Sequence, residues 1–169
     1  ATQRSSVGQR LRNDVQTGCT AAMDQIKSEL ALGGYRAIDT ATPISNASAG
    51  SITFEYWDDH AEPLVGHNNN TRVTYRRATT AESGGGPDGI KPGDLVRESY
   101  RYATPSGPFD TTPTKQVLVD NVLSLGFTYM QSDNTPWDGI SLGGIKTIRP
   151  TLTCASSRED PVSGKTLKI

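Results

Sequence analysis

At 169 residues, with 34% apolar side chains, 17 glycines and 10 prolines, the chain has the balance of one loop-rich domain able to bury roughly two thirds of its unfolded surface. Its 17 basic and 18 acidic residues leave a formal net charge of -1, which excludes the basic footprint of a nucleic-acid or anionic-membrane binder. No apolar run approaches the roughly 18 to 20 residues that span a bilayer, and no signal peptide is recognisable, so these residues are expected to be soluble.

Val7, Leu11, Val15, Cys19, Ala22, Met23, Ile26 and Leu30 recur at steps of three and four, which predicts a helix from about Arg4 to Leu32 with one apolar stripe. Such a helix is roughly 43 Å long at 1.5 Å per residue, longer than a domain of this size, so its first turns are expected to project. Gly8 and Gly18 each weaken a helix interior by about 1 kcal/mol relative to alanine. Gly33-Gly34-Tyr35 is a stop of the kind a left-handed cap requires.

Beyond it the pattern turns to strands. Asp39 to Gly50 is rich in Thr, Ser, Asn and Ala and reads as a loop. Ser51 to Trp57 alternates, with Ile52, Phe54 and Tyr56 on one face of a half-buried strand. Arg72 to Thr79 repeats this with Val73 and Tyr75 inward, after a hairpin turn at Gly66 to Asn70. Ala81 to Gly93 reads as a mobile glycine-rich loop, and Asp94 to Ala103 resumes as a strand; the three strands suggest an antiparallel meander. Thr104 to Thr114 is a proline-rich loop. Val117 to Leu125 is a short strand or turn entering a longer strand, Ser124 to Gln131, with Leu125, Phe127 and Tyr129 on one face. Ile145 to Ala155 carries Ile148, Pro150, Leu152 and Cys154 on one face, and Pro150 places this strand at an edge or at a bulge. Lys165 to Ile169 reads as a last short strand.

Reactive chemistry has no visible carrier. Asp58-Asp59-His60 with His67 is the one place where histidine nears carboxylates, but neighbouring strand residues point to opposite faces and the spacing suits no three-ligand zinc site. Gly84 to Gly89 lacks the lysine and following helix of a phosphate-binding loop. There is no Gly-x-Ser-x-Gly elbow and no Cys-x-x-Cys. No catalytic residue, metal ligand or cofactor is expected. Cys19 and Cys154 both fall on apolar faces; they are either a disulfide, which the chain-entropy account values at about 4 to 5 kcal/mol, or two buried thiols.

The segment Gln25 to Arg36 resembles the helix end of the W-type minor pilins and J-type minor pseudopilins, where a leucine-containing turn runs into a small-Gly-Tyr stop. Ile52 to Asp58, Arg72 to Arg76 and Asp94 to Glu98 then resemble that family's Ile-x-Phe-x-Tyr, basic-Val-x-Tyr and Leu-x-Arg strands. Leu118 to Tyr129 resembles its Val-x-x-Leu-x-Phe-x-Tyr segment, and Ile145 to Thr153 its late strand. The likeness covers nearly the whole chain in order.

The resemblance implies a fold of class α+β: a long N-terminal α-helix packed on one antiparallel β-sheet with long loops. Residues 1–34 would be the lower half of an assembly helix and 35–169 a β-rich head, together one domain. It implies a non-enzymatic subunit that initiates, caps or assembles a type IV pilus or a type II secretion pseudopilus. Its partners would be other minor and major subunits, with no nucleic acid, and its membrane contact would run only through a methylated helix half upstream of Ala1. Before assembly it would sit in the bacterial inner membrane facing the periplasm, and afterwards at a filament tip or the cell surface. The packing and assembly face would be Val7, Leu11, Val15, Ala22, Met23, Ile26 and Leu30. The rival reading is a secreted β-sandwich module, adhesive or carbohydrate-binding, that stacks sugars on Trp57, Trp137 and Tyr102.

Overall fold

Thr2–Leu32 winds into a single helix, α1, and only its lower half is committed to a core. The computed structural model of the chain describes residues 2–34, 43–58, 69–101, 108–159 and 166–169. Cys19, Ala22 and Ile26 repeat at three and four residues and are all buried, with Val15 and Leu30 packed beside them. Val7 is 53% exposed, and Leu11 and Met23 are half-buried. The helix ends as its glycines dictate. Gly33 N–H donates to the Leu30 carbonyl at 3.1 Å, and Gly34 takes a left-handed φ of 82° that a side chain would resist. Gly34 N–H then donates to the Glu55 carbonyl at 2.8 Å, so the cap also ties the helix to the first sheet. Tyr35 and Arg36 lie outside the described residues.

The first sheet is a five-stranded antiparallel meander in chain order: β1 (Ile44–Ala47), β2 (Ser51–Trp57), β3 (Asn70–Arg77), β4 (Leu95–Arg101) and β5 (Thr114–Val119). Alternation does the sorting. Ile52, Phe54 and Tyr56 face inward on β2, Val73 and Tyr75 on β3, and Leu95 on β4. β1 lies inside the stretch whose polar composition reads as a loop: Ile44 is buried opposite Phe54, whereas Ser45 and Asn46 are exposed as befits an edge strand.

The second sheet is β6 (Val122–Met130), β7 (Thr147–Glu159) and β8 (Thr166–Lys168), with a single 3-10 turn at Leu142–Gly144 between β6 and β7. The chain changes sheets at Asp120-Asn121, where Asn121 adopts a left-handed φ of 53°. This overturns the expected architecture of a long helix on one sheet. The protein is mostly β, two antiparallel sheets with one helix. The reason lies in the apolar faces: Val122, Leu125, Phe127 and Tyr129 bury against the inward face of the first sheet in one shared core, which they could not cover by extending it sideways. The sheets are stitched by Phe127 N–H donating to the Ala49 carbonyl (3.0 Å) and by Tyr129 OH donating to the Ser48 carbonyl (2.8 Å).

Pro150 stands opposite Phe127. Because Phe127 N–H points away from β7, toward Ala49, the facing Pro150 nitrogen also points away from β6, to the edge where no donor is lost. β8 pairs with β7 only farther along, at Ala155 and Glu159.

Candidate functional site: the helix and its anchorage

The stripe of α1 divides at about Val15. Below it, two devices lock the helix to the head. The first is a disulfide from Cys19 to Cys154 of β7, with Cα atoms 6.2 Å apart and a sequence separation of 135. The other reading, two buried thiols, does not apply.

The second is a polar cluster that the sequence pattern did not single out. Tyr75 and Arg97 are register partners on the inward faces of β3 and β4, and Glu29 reaches them from the helix. Glu29 accepts from Tyr75 OH at 2.7 Å and from Arg97 Nε at 3.0 and 3.1 Å, with the Glu29 and Arg97 side chains only 14% and 15% exposed. Burial first, and Glu29 second, push the Tyr75 phenol far above its ordinary range, and the same two causes push Tyr56 up to about 12. Burial alone would lower the Arg97 guanidinium; hydrogen bonding to Glu29 outweighs it and holds the group above its usual value. A helical register error of one residue would carry Glu29 about 100° away from both partners, so the cluster sets the rotation of α1 on the head.

The outward face of the first sheet is also charged, and it is neutralised internally. Arg76 donates from Nη1 and Nη2 to the two oxygens of Glu82 (2.7 and 2.6 Å) and from Nη2 to Glu98 (2.7 Å), while Lys115 Nζ reaches Glu82 at 2.7 Å. Arg72 pairs with Glu55 at 2.8 Å and lies 4.1 Å from the centre of the Phe109 ring. These contacts change the reading of Ala81 to Gly93, which is not a free loop. Glu82 and Ile90 exchange backbone bonds (3.0 and 2.9 Å), and Ile90 is buried with Ala78 and Val96. At Gly85, φ is 81° and an added Cβ would stand 2.7 Å from Ile90 Cγ1, so glycine there serves close packing and no phosphate cradle.

Hydrogen bonds from Arg76, then Lys115, hold the Glu82 carboxyl at about 2 instead of 4.5. A carboxyl depressed by folding stabilises the native state above its unfolded value, and that contribution is lost as pH falls from 4.5 toward about 2. Glu82→Gln is therefore expected to flatten the decline of the unfolding midpoint over that window. Equal slopes for the variant and its parent in urea titrations would refute this.

Asp59, His60 and His67 lie outside the described residues, and among the described ones no group of three His, Cys, Asp or Glu side chains stands close enough to hold a metal ion. Of the aromatic residues in the rival reading, Trp137 packs edge-on against Tyr129 at 5.7 Å and Trp57 ends β2. Tyr102 is outside the described residues. Among the described residues, no helix is long and apolar enough to cross a membrane.

Comparison of the sequence with protein-family profiles and with curated proteins gives no match. What the described geometry offers is mechanical: one face of a long helix held at fixed depth and rotation, with its apolar stripe running past the core to an exposed Val7.

Proposed function

We propose that the chain is a minor pilin or pseudopilin subunit, a non-enzymatic protein that helps initiate, cap or assemble a type IV pilus or type II secretion pseudopilus through its helix. The reading is carried by the change in burial along α1. From Cys19 to Leu30 the helix is bonded to the head by a disulfide, an ion pair and apolar packing, whereas the same stripe continues through a half-buried Leu11 to an exposed Val7. A stripe that outlasts its own core is made for another molecule.

The ordered resemblance of the helix end and the strand motifs supports the same reading. So does a disulfide between helix and head, which suits an oxidising compartment such as the periplasm. In this reading the subunit waits in the inner membrane, held by a helix half upstream of Ala1, and then joins other minor and major subunits at a filament tip. Among the described residues the charged outward face is paired within the molecule, which favours the helix as a surface for partners.

The deciding observation is the coding sequence upstream of Ala1. A glycine followed by Phe-Thr-Leu-x-Glu and an apolar run is expected, and a cleavable signal peptide there would overturn the proposal. Deleting the coding sequence in its native bacterium is expected to abolish surface filaments or secretion of exported proteins; a deletion strain with both intact would count equally against it.

A further inference from the structure

Among the described residues Ile140 is 84% exposed, far beyond the next large apolar side chain, Val7 at 53%. The turn that carries it is held at three points. Trp137 N–H donates to the Tyr129 carbonyl at 3.0 Å, Trp137 Nε1 to the Ser141 carbonyl at 2.8 Å, and Ile140 N–H to Asp138 Oδ1 at 3.0 Å. Gly139 supplies the left-handed φ of 80° that lets the turn close. An isoleucine so displayed is a knob fixed before any partner arrives, and its backbone has little freedom left to lose on binding.

Beside the knob lies a hole. Five residues on, Ile145 and Lys146 enter a groove of about 400 Å3 between the end of α1, β1 and β7, walled by Leu30, Ile44, Ile148 and Pro150. Five residues of extended chain reach at most about 18 Å, so knob and groove belong to one small patch. They also share a side of the head: the 3-10 turn between them packs beside β1, whose Ile44 lines the groove. Charge divides in the same way. Asp133 and Asp138 are exposed in the stretch from Gln131 to Ile145, which holds no basic residue. Each uses Oδ1 in a turn bond and keeps Oδ2 for a partner. Lys27 and Lys146 are exposed at the groove, and no carboxylate of the described residues lines it. The ion pairs of the described residues use none of these four. Asp24, one turn before Lys27, belongs to a different stretch of helix surface, with Asn13, Thr17 and Thr20.

We infer that this patch pairs with itself: Ile140 of each molecule enters the groove of a second copy of this chain, with Asp133 and Asp138 facing that copy's Lys27 and Lys146. A convex apolar tip meets a concave apolar wall, and acid meets base. Because knob and groove lie close together on one side of the head, each molecule gives and receives at once around a two-fold axis. The contact therefore closes as a dimer and does not propagate as a row. The apolar surfaces supply the attraction, and the charges choose the register. The contact lies in the head and at the end of α1, away from Val7 and Leu11, so it goes beyond the filament reading and would stand if that reading fell.

Sedimentation velocity of the 169-residue chain tests it directly. A species of twice the monomer mass is expected with a Kd below about 1 mM, without larger assemblies, weakening as ionic strength rises to about 1 M and the screening length falls to about 3 Å. Ile140→Asp changes an exposed turn and leaves the core untouched, and it is expected to weaken dimerisation at least about tenfold. So are two charge reversals, Asp133→Lys with Asp138→Lys, and Lys27→Glu with Lys146→Glu. Mixed in equal amounts, the two reversed chains should pair again, because each knob then meets a groove of opposite charge. Circular dichroism checks that the variants stay folded. A chain monomeric at about 1 mM, an assembly that grows past the dimer, an Ile140→Asp chain that dimerises as well as its parent, or a mixture that stays apart would each overturn the inference. In the first case the knob serves a different protein.

Discussion

Reducing the bond between Cys19 and Cys154 is expected to cost the fold about 3 to 5 kcal/mol. The bridge spans 135 residues, so the unfolded chain regains the freedom of a very long loop when it opens. Both sulfurs sit in the core, with Cys19 6% and Cys154 0% exposed, so packing is kept if the thiols stay in place. The measurement is a urea titration with and without reductant, beside the double variant Cys19→Ala with Cys154→Ala. Reduction and the double variant should lower the midpoint alike, apart from the small cavity that alanine leaves. A midpoint insensitive to reductant would show that the bond contributes nothing to stability. The consequence for assembly is local: without the bridge, only the Glu29 cluster and apolar contacts hold the helix in register.

Removing the Glu29 carboxylate is the second large perturbation. Glu29→Ala leaves the Arg97 guanidinium, 15% exposed, and the buried Tyr75 hydroxyl without their acceptor. Stranding one member of a buried pair costs about 3 to 5 kcal/mol, since the remaining charge keeps its desolvation penalty and loses its compensation. Replacing both charges, Glu29→Leu with Arg97→Met, is expected to cost less than the single change, because no charge is then left buried. Loss of the carboxylate should also bring the Tyr75 phenol down toward the level that burial alone sets, seen as an earlier onset of tyrosinate absorbance in alkaline titration. A Glu29→Ala chain within about 1 kcal/mol of the parent would remove the pair from any role in holding the helix.

The parts of this protein governed by neighbouring residues were legible in the sequence. Helix spacing from Val7 to Leu30, the Gly33-Gly34 stop and the alternation of Ile52, Phe54 and Tyr56 all follow from periodicities that a few residues express alone. What escaped such reading was polar or distant. Glu29 sits one place from Leu30 at the border of the apolar stripe, and Arg97 occupies an inward position of β4; the signal was a pair of opposite charges on faces that should be apolar, in elements 68 residues apart. Ile44–Ala47 reads as a loop because an edge strand needs only one buried residue to dock. The glycine-rich segment reads as mobile because the single residue that anchors it, Ile90, is flanked by glycine, aspartate, lysine and proline.

Local sequence therefore specified a long amphipathic helix, its end, and a set of alternating strands, since each depends on backbone geometry and side-chain spacing within a few residues. Tertiary packing alone decided that the strands divide into two sheets, that Cys19 meets Cys154, and that Glu29 finds Arg97 and Tyr75. Those outcomes depend on which apolar faces can cover one another, and no short window of the chain contains both halves of that match.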